Sequence, residues 1–357
     1  MTDDFVTRLG VALREAADRE ERRAASWRAL ATARTVLPRL RLSPLVVTLI
    51  AGLVLAAAVY GLASFRSDEA APAGPKVVAQ LSPAGGLDQI VPGFGSAWMV
   101  DTDTQALLRM DPATRRVTAR FPLGGSMNVT PGQGAMWVGL TQSSQFRLLR
   151  IDPRTNRVVA RLRAPDVPGG STGSWPVAVG NNLWLVSAET AVRIDPANGH
   201  AIATVHTARN GYQTRSLAVV DGDLWVHVSD GRLLRLDGAT GLRKATFHVP
   251  DGSLVGDFLM NGLFVVDQAT LSRVDPRNLH VLWRTQIPSI GPGVAADGRL
   301  WVEAPDRQGD RVLTVDPRNG QVIDSVHVGV FGAQWMTPVA SEVWMTTAGG
   351  RVVILGR

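Results

Sequence analysis

An aromatic anchor set in a short apolar run returns again and again through this 357-residue chain, and no other feature restricts its fold as much. The anchors are Trp98, Trp137, Trp184, Trp225, Phe264, Trp301 and Trp344, at spacings of 39, 47, 41, 39, 37 and 43 residues. Self-similarity with a period of roughly 40 residues is the signature of propeller blades, each a small sheet that buries its faces only against its neighbours. Seven anchors predict seven blades.

The clearest copy runs from Met136 to Arg163, MWVGLTQSSQFRLLRIDPRTNRVVARLR. Its first apolar run holds Trp137, a second ends on Asp152-Pro153, and Arg157 to Leu162 alternate polar and apolar as a half-buried strand does. Asp followed by Pro suits a type I turn, because the carboxylate accepts backbone N–H groups and Pro presets φ. The turn recurs in phase at Asp111-Pro112, Asp195-Pro196, Asp237-Gly238, Asp275-Pro276 and Asp316-Pro317. An inner strand precedes each anchor, as at Trp175 to Val179, Leu217 to Val220 and Val294 to Ala296, so the unit is four-stranded. After the seventh anchor the chain supplies only one more strand, Arg351 to Leu355. Lys76 to Leu81, KVVAQL, reads like the outer strands and stands before the first complete unit. It is expected to complete the last blade and close the ring, which removes exposed sheet edges.

The fold class expected is therefore an all-β, seven-bladed propeller over residues 76–357. Three segments precede it: a basic tail (1–41), a transmembrane helix (42–65) and a linker (66–75). Phe5, Leu9, Ala12, Leu13 and Ala16 fall at helical spacing, so the tail is read as an amphipathic helix with a solvated face, or as a docking helix for a cytoplasmic partner. Leu42 to Phe65 is 24 residues without a charged side chain, enough at about 1.5 Å per residue to span a hydrocarbon core of roughly 30 Å. Nine Arg precede this run and only Arg66 follows closely. The positive-inside rule then places the N-terminus in the cytoplasm and the propeller outside, on an uncleaved single-pass anchor in the cell membrane. A cleaved leader ending near Ala70 to Ala73 is the competing reading.

Charge does not point to nucleic acid. Residues 1–43 carry nine Arg against six acids, and residues 66–357 carry 28 basic against 25 acidic groups, a net +3 for each part. Neither is a concentrated polyanion-binding surface. The absence of cysteine rules out disulfides and thiolate metal sites. His206, His248 and His327 each lie 11 residues after their turn Asp, hence on different blades at the rim, where they cannot converge on one ion. His200 and His280 begin outer strands, and His227 is read as a core residue. Arg109, Arg150, Arg193, Arg235 and Arg273 stand two residues before a turn Asp and are read as repeat-level ion pairs or exposed strand positions. Glu303 and Glu342 are read as isolated. No catalytic residue, metal ligand or cofactor is assigned.

The loops that join second to third strands, and one blade to the next, share a face and vary in length, whereas the Asp-Pro turns occupy the other. Ala164 to Ser174 and Thr207 to Arg215 are the long ones, and function concentrates on variable loops over a regular scaffold. Trp175 follows the first, Tyr212 and Arg215 close the second, and Trp335 opens the last inner strand beyond Phe331. These four are the candidate binding residues, offering stacking surfaces and a guanidinium for a carboxylate, a sugar or a peptide end.

The repeat, LWVxxxxxxLxRIDPxTxxVVAxL with its variants, resembles the YVTN-type and streptogramin-lyase-like (virginiamycin B lyase) seven-bladed propellers over residues 76–357. That resemblance implies the same ring, and for the lyases His and Glu residues around a magnesium ion at its centre. The expected function is a membrane-anchored extracytoplasmic module that binds or senses a ligand or protein without its own catalysis. A magnesium-dependent lyase and a structural component of an envelope complex are the alternatives.

Overall fold

The computed structural model describes residues 74–357 apart from 164, 166–173, 210, 250–253, 257–261, 268 and 331. The tail helix and membrane span expected at 1–65, and Phe331, lie outside the described residues. Within them the chain forms strands and turns only, so no helix there is long and apolar enough to cross a membrane.

Seven four-stranded antiparallel sheets form, one for each anchor. Blades 1 to 6 span Leu87–Pro122, Ser126–Arg163, Trp175–His206, Thr214–His248, Leu254–Gln286 and Gly293–His327, each with its strands in chain order from the channel outwards. Blade 7 takes three strands from Ala333–Gly356 and its outer strand from Lys76–Leu81, which pairs antiparallel with Val352–Gly356 from Lys76↔Gly356 to Leu81↔Val352. The ring closes as the orphan last blade requires. Inner strands of successive blades lie against one another around the channel, from blade 6 through 7, 1 and 2 to 3, and between 4 and 5.

Each anchor sits mid-way along a second strand and is almost wholly buried. Blade faces are covered by the next blade, so the core is a set of inter-blade clusters, such as Trp98, Val100 and Leu107 against Met136, Val138 and Leu149. Such strands read as continuous apolar runs because both faces are buried, while the outer strands alternate. Blade 5 carries the smaller anchor, and Trp283 on its outer strand leans on Phe264 with ring centroids 6.0 Å apart.

The Asp-Pro turns are longer than a simple type I turn. Asp152 Oδ1 accepts the N–H of Arg154 (2.8 Å), and the Asp152 carbonyl accepts the N–H of Asn156 (2.9 Å), whose φ is 54°. The same fifth position is left-handed at Arg115, Gly199, Gly241, Leu279 and Gly320. The extra residue forces a register shift between third and outer strands just before each turn.

The repeated Arg corrects the sequence reading in part. Arg109, Arg150 and Arg235 lie over the indoles of Trp98, Trp137 and Trp225, at 5.2, 5.8 and 5.3 Å. From there the guanidinium reaches the turn of the next blade: Arg109 donates to the Pro153 carbonyl, Arg193 to Ala239, Arg235 to Pro276 (3.2 Å) and Arg273 to Pro317 (2.6 Å). The turn Asp is busy with its own N–H groups, so Arg109, Arg193, Arg235 and Arg273 clamp one blade to the next, while Arg235 also keeps an ion pair within its own blade, Nε to Asp223 Oδ2 at 2.6 Å.

Candidate functional site

Inner strands start on the loop-rich face, and three of them start irregularly. Register shifts leave Asp88 and Gln89 in blade 1, Arg215 in blade 4 and Gln334 in blade 7 without a directly opposed partner. A bulge turns the side chain of its extra residue away from the ladder, and Asp88, Arg215 and Gln334 are all exposed at the channel mouth. Gln89 instead ties blade 1 to blade 2, donating to the Val129 carbonyl (3.1 Å) and accepting the Val129 N–H (2.8 Å). Surrounding protein pushes the Asp88 carboxyl above its ordinary value.

Arg215 belongs to the strand Thr214–Val220, one residue inside the position expected for the end of the loop. It borders an open hollow of about 460 Å³ lined by Gly211, Gln213, Thr214, Arg215 and Ser229. Backbone bonds build that hollow. Gln213 and Ser229 are joined twice, Gln213 N–H to Ser229 Oγ (2.9 Å) and Ser229 N–H to the Gln213 carbonyl (2.8 Å). Thr214 N–H crosses to the Ala188 carbonyl of blade 3 (2.6 Å). Tyr212, between the lining residues Gly211 and Gln213 in the chain, is 44% exposed.

Behind Arg215 lies His227, buried as its sequence position suggested, with Nδ1 3.4 Å from Ser216 Oγ. Burial, then the Arg215 charge, hold its imidazole below the usual value against a weaker opposing pull from Asp230. At neutral pH the ring is uncharged.

Trp175 and Trp335 are both half-buried, each at or near the start of an inner strand. Trp335 packs on the blade 7–1 core and its indole N–H has no partner among the described residues. Trp175, Tyr212 and Arg215 fall on adjacent blades 3 and 4, whereas Trp335 belongs to blade 7 across the ring. Three of the four candidates thus fall on neighbouring blades, and the fourth lies elsewhere around the ring. Asp88, Gln334 and the Ser229 wall escaped sequence reasoning, since a bulge leaves no mark in a pattern of apolar residues.

The expected isolation of two acids is also corrected. Glu342 receives Arg115 of blade 1 (3.0 Å) and the Trp344 indole N–H (3.1 Å). Glu303 is buried at 3% exposure beside the equally buried Asp310. The magnesium implied by the resemblance finds no fit among the described residues. Five His are exposed at the rim or strand ends, His227 is walled off behind a guanidinium, and no three His or acid side chains stand together to hold an ion.

With the geometry in place, the comparisons speak to the fold. Virginiamycin B lyase from Staphylococcus aureus superposes with a TM-score of 0.61 at 13% identity, covering 79% of this chain and 99% of that one. BamB from Moraxella catarrhalis superposes with a TM-score of 0.52 at 14% identity, covering 80% and 98%. The expected propeller likeness holds, and at such identities it is a likeness of fold. No protein-family model and no curated protein sequence matches the chain.

Proposed function

We propose that this chain is a membrane-anchored, extracytoplasmic propeller that binds or senses a ligand through the loop-rich mouth of blades 3 and 4, without chemistry of its own. The observation that carries this reading is Arg215, held on a bulge beside a polar hollow, with an exposed aromatic residue between two of its lining residues in the chain. A guanidinium recognises a carboxylate through paired N–H donors, and the neutral His227 behind it adds no competing charge. Tyr212 and the half-buried Trp175 supply flanking flat surfaces. A peptide end is the ligand class these groups fit. Short peptides with a free C-terminal carboxylate should bind the intact protein and their amidated counterparts should not. Arg215→Ala should weaken binding at least tenfold, and equal binding of both peptide forms would dismiss the reading. The anchor is tested separately: protease added to intact spheroplasts should digest the chain beyond Arg66.

The alternative of a structural envelope component is supported by the rim. Val281, Leu282, Val322 and Ile323 are 40–54% exposed on the outer strands of the adjacent blades 5 and 6. Polar replacements there would abolish a rim-mediated association and leave peptide binding at the mouth intact.

A further inference from the structure

Two carboxyls are buried side by side where blades 6 and 7 meet the loop-rich face, and neither has a cationic partner among the described residues. Glu303, 3% exposed, ends the second strand of blade 6, Arg299–Glu303, and Asp310, 2% exposed, ends the loop that follows. The space is closed on the other side by Gly291, where even a methyl group would stand 1.6 Å from Glu303 Oε2. The 287–292 and 328–333 segments and the inner strands Gly293–Ala296 and Ala333–Val339 bring no charge to the pair. Of the nearby charged groups, Arg311 donates from Nη2 to Ser325 Oγ (2.8 Å) while its buried Nε has no partner among the described residues, and Asp306 faces His327 at 3.8 Å on the outside. Arg307 is exposed, and Arg299 stands at the far end of its strand.

Two acids in contact without a cation are stable in a dry site only if they share a proton. That shared proton supports a set of bonds between blades. Asp310 Oδ2 accepts the Ala333 N–H at the start of blade 7 (3.0 Å), the Asp310 carbonyl accepts Val328 N–H (3.0 Å), and Asp310 N–H donates to Val330 (2.8 Å). Glu303 in turn exchanges backbone bonds with Gly291 and Pro292, at 3.0 and 2.9 Å. Val328 and Val330 are thereby seated in the blade 6–7 core. The segment so pinned leads directly into the inner strand that carries Gln334 and Trp335.

We propose that Glu303 and Asp310 form a proton-operated latch, holding the loops of blades 6 and 7 together in acid and freeing them, with the adjoining part of the mouth, once the shared proton leaves. This device is independent of the ligand read at blades 3 and 4.

The sign follows from the direction of the shift. Burial, and then the Asp310 charge, push the Glu303 carboxyl up from the ordinary 4.5 to about 8. The closed latch keeps a proton that the open one releases. Its stabilisation is complete below pH 4.5, declines as pH rises and is gone above about 8.

Hydrogen exchange on the full-length protein reads this directly, with rates corrected for those of unstructured peptide. Opening at the Ala333 and Val328 amides should rise by up to about tenfold per pH unit between pH 5 and 8, then level off. In Glu303→Gln, which keeps the hydrogen bond but cannot ionise, the slope should vanish. Asp310→Asn, the second variant should the first fold poorly, should reduce the slope and shift it to lower pH, because the Asp310 charge is gone while the burial of Glu303 remains. The wild-type profile should be unchanged by EDTA. A pH-independent wild type, an equal slope in both variants, or opening of the latch by EDTA would each overturn the proposal, the last by showing a cation in the proton's place.

Discussion

At the scale of single residues, the left-handed fifth position of the turns has unequal consequences. At Asn156, φ is 54° and the side chain tolerates it, whereas at Gly320, φ is 76° and an added Cβ would meet Trp283 Cε3 and Thr285 Oγ1 at 2.5 Å. Gly320→Ala therefore combines backbone strain with a clash against a core indole, an expected loss of roughly 2–4 kcal/mol in urea unfolding. Asn156→Gly, by contrast, keeps the angle and loses only the exposed bond from Arg109 Nη1 to Asn156 Oδ1 (2.6 Å), so it should cost about 1 kcal/mol or less. If the two variants behaved alike, the turn geometry described above would be wrong. The turn Asp was legible because its role is local: a carboxylate accepts N–H groups two residues on wherever the pair Asp-Pro appears. The requirement at the fifth position was not, because Arg115, Asn156, Gly199, Gly241, Leu279 and Gly320 share no side-chain chemistry, only a backbone angle.

At the scale of strands and blades, the clamp made by the repeated Arg explains how wedge-shaped sheets with few direct side-chain bonds between them keep their angle. Arg273 donates to the Pro317 carbonyl (2.6 Å), and Trp283 Nε1 donates to the same oxygen (2.9 Å). Replacing Arg273 with Met keeps the apolar stem and removes the donor, which should cost about 1–3 kcal/mol. Arg154, whose side chain is 90% exposed and 3.6 Å from Asp152, should tolerate Ala with a change under about 0.5 kcal/mol. A chemical-denaturation series separates them, and equal effects would remove the clamp from the account. In the sequence both Arg residues lie close to a turn Asp and look alike. What distinguishes them is a carbonyl on the next blade, and a bond to backbone puts no complementary residue type in the partner repeat. The mouth escaped in the same way. Its loops could be located from length, and Arg215 with them, but the bulges that expose Asp88, Arg215 and Gln334 arise from pairing between strands and not from the composition of either strand.

At the scale of the whole molecule, the closing strand decides whether seven blades form one cooperative body. Lys76–Leu81 is laid along Val352–Gly356, and Gln80 Nε2 also donates to the Val328 carbonyl just after blade 6 (3.2 Å), so the two ends of the propeller segment meet in one sheet. The Arg115–Glu342 pair and the bond from Thr346 Oγ1 to the Asp88 carbonyl (2.7 Å) complete the junction between blades 1 and 7. Removing residues 76–81 would expose an unpaired strand of five buried residues, VVILG, which is an aggregation-prone edge as well as a loss of core. The expected result is a lower and broader unfolding transition together with self-association. A generic truncation could produce the same loss, so the decisive measurement is rescue. A peptide containing KVVAQL should restore the sharp transition of the shortened chain in proportion to its concentration, because a ligand that binds only the folded state stabilises it by mass action. The scrambled peptide should not, since alternation places Val77 and Ala79 on the blade, leaves Lys76 and Val78 exposed, and aims the Gln80 amide at the Val328 carbonyl. If the shortened chain melted as sharply as the full one, or if both peptides rescued it equally, the ring would be held shut by its blade contacts alone and the first strand would be an ornament on a body already closed.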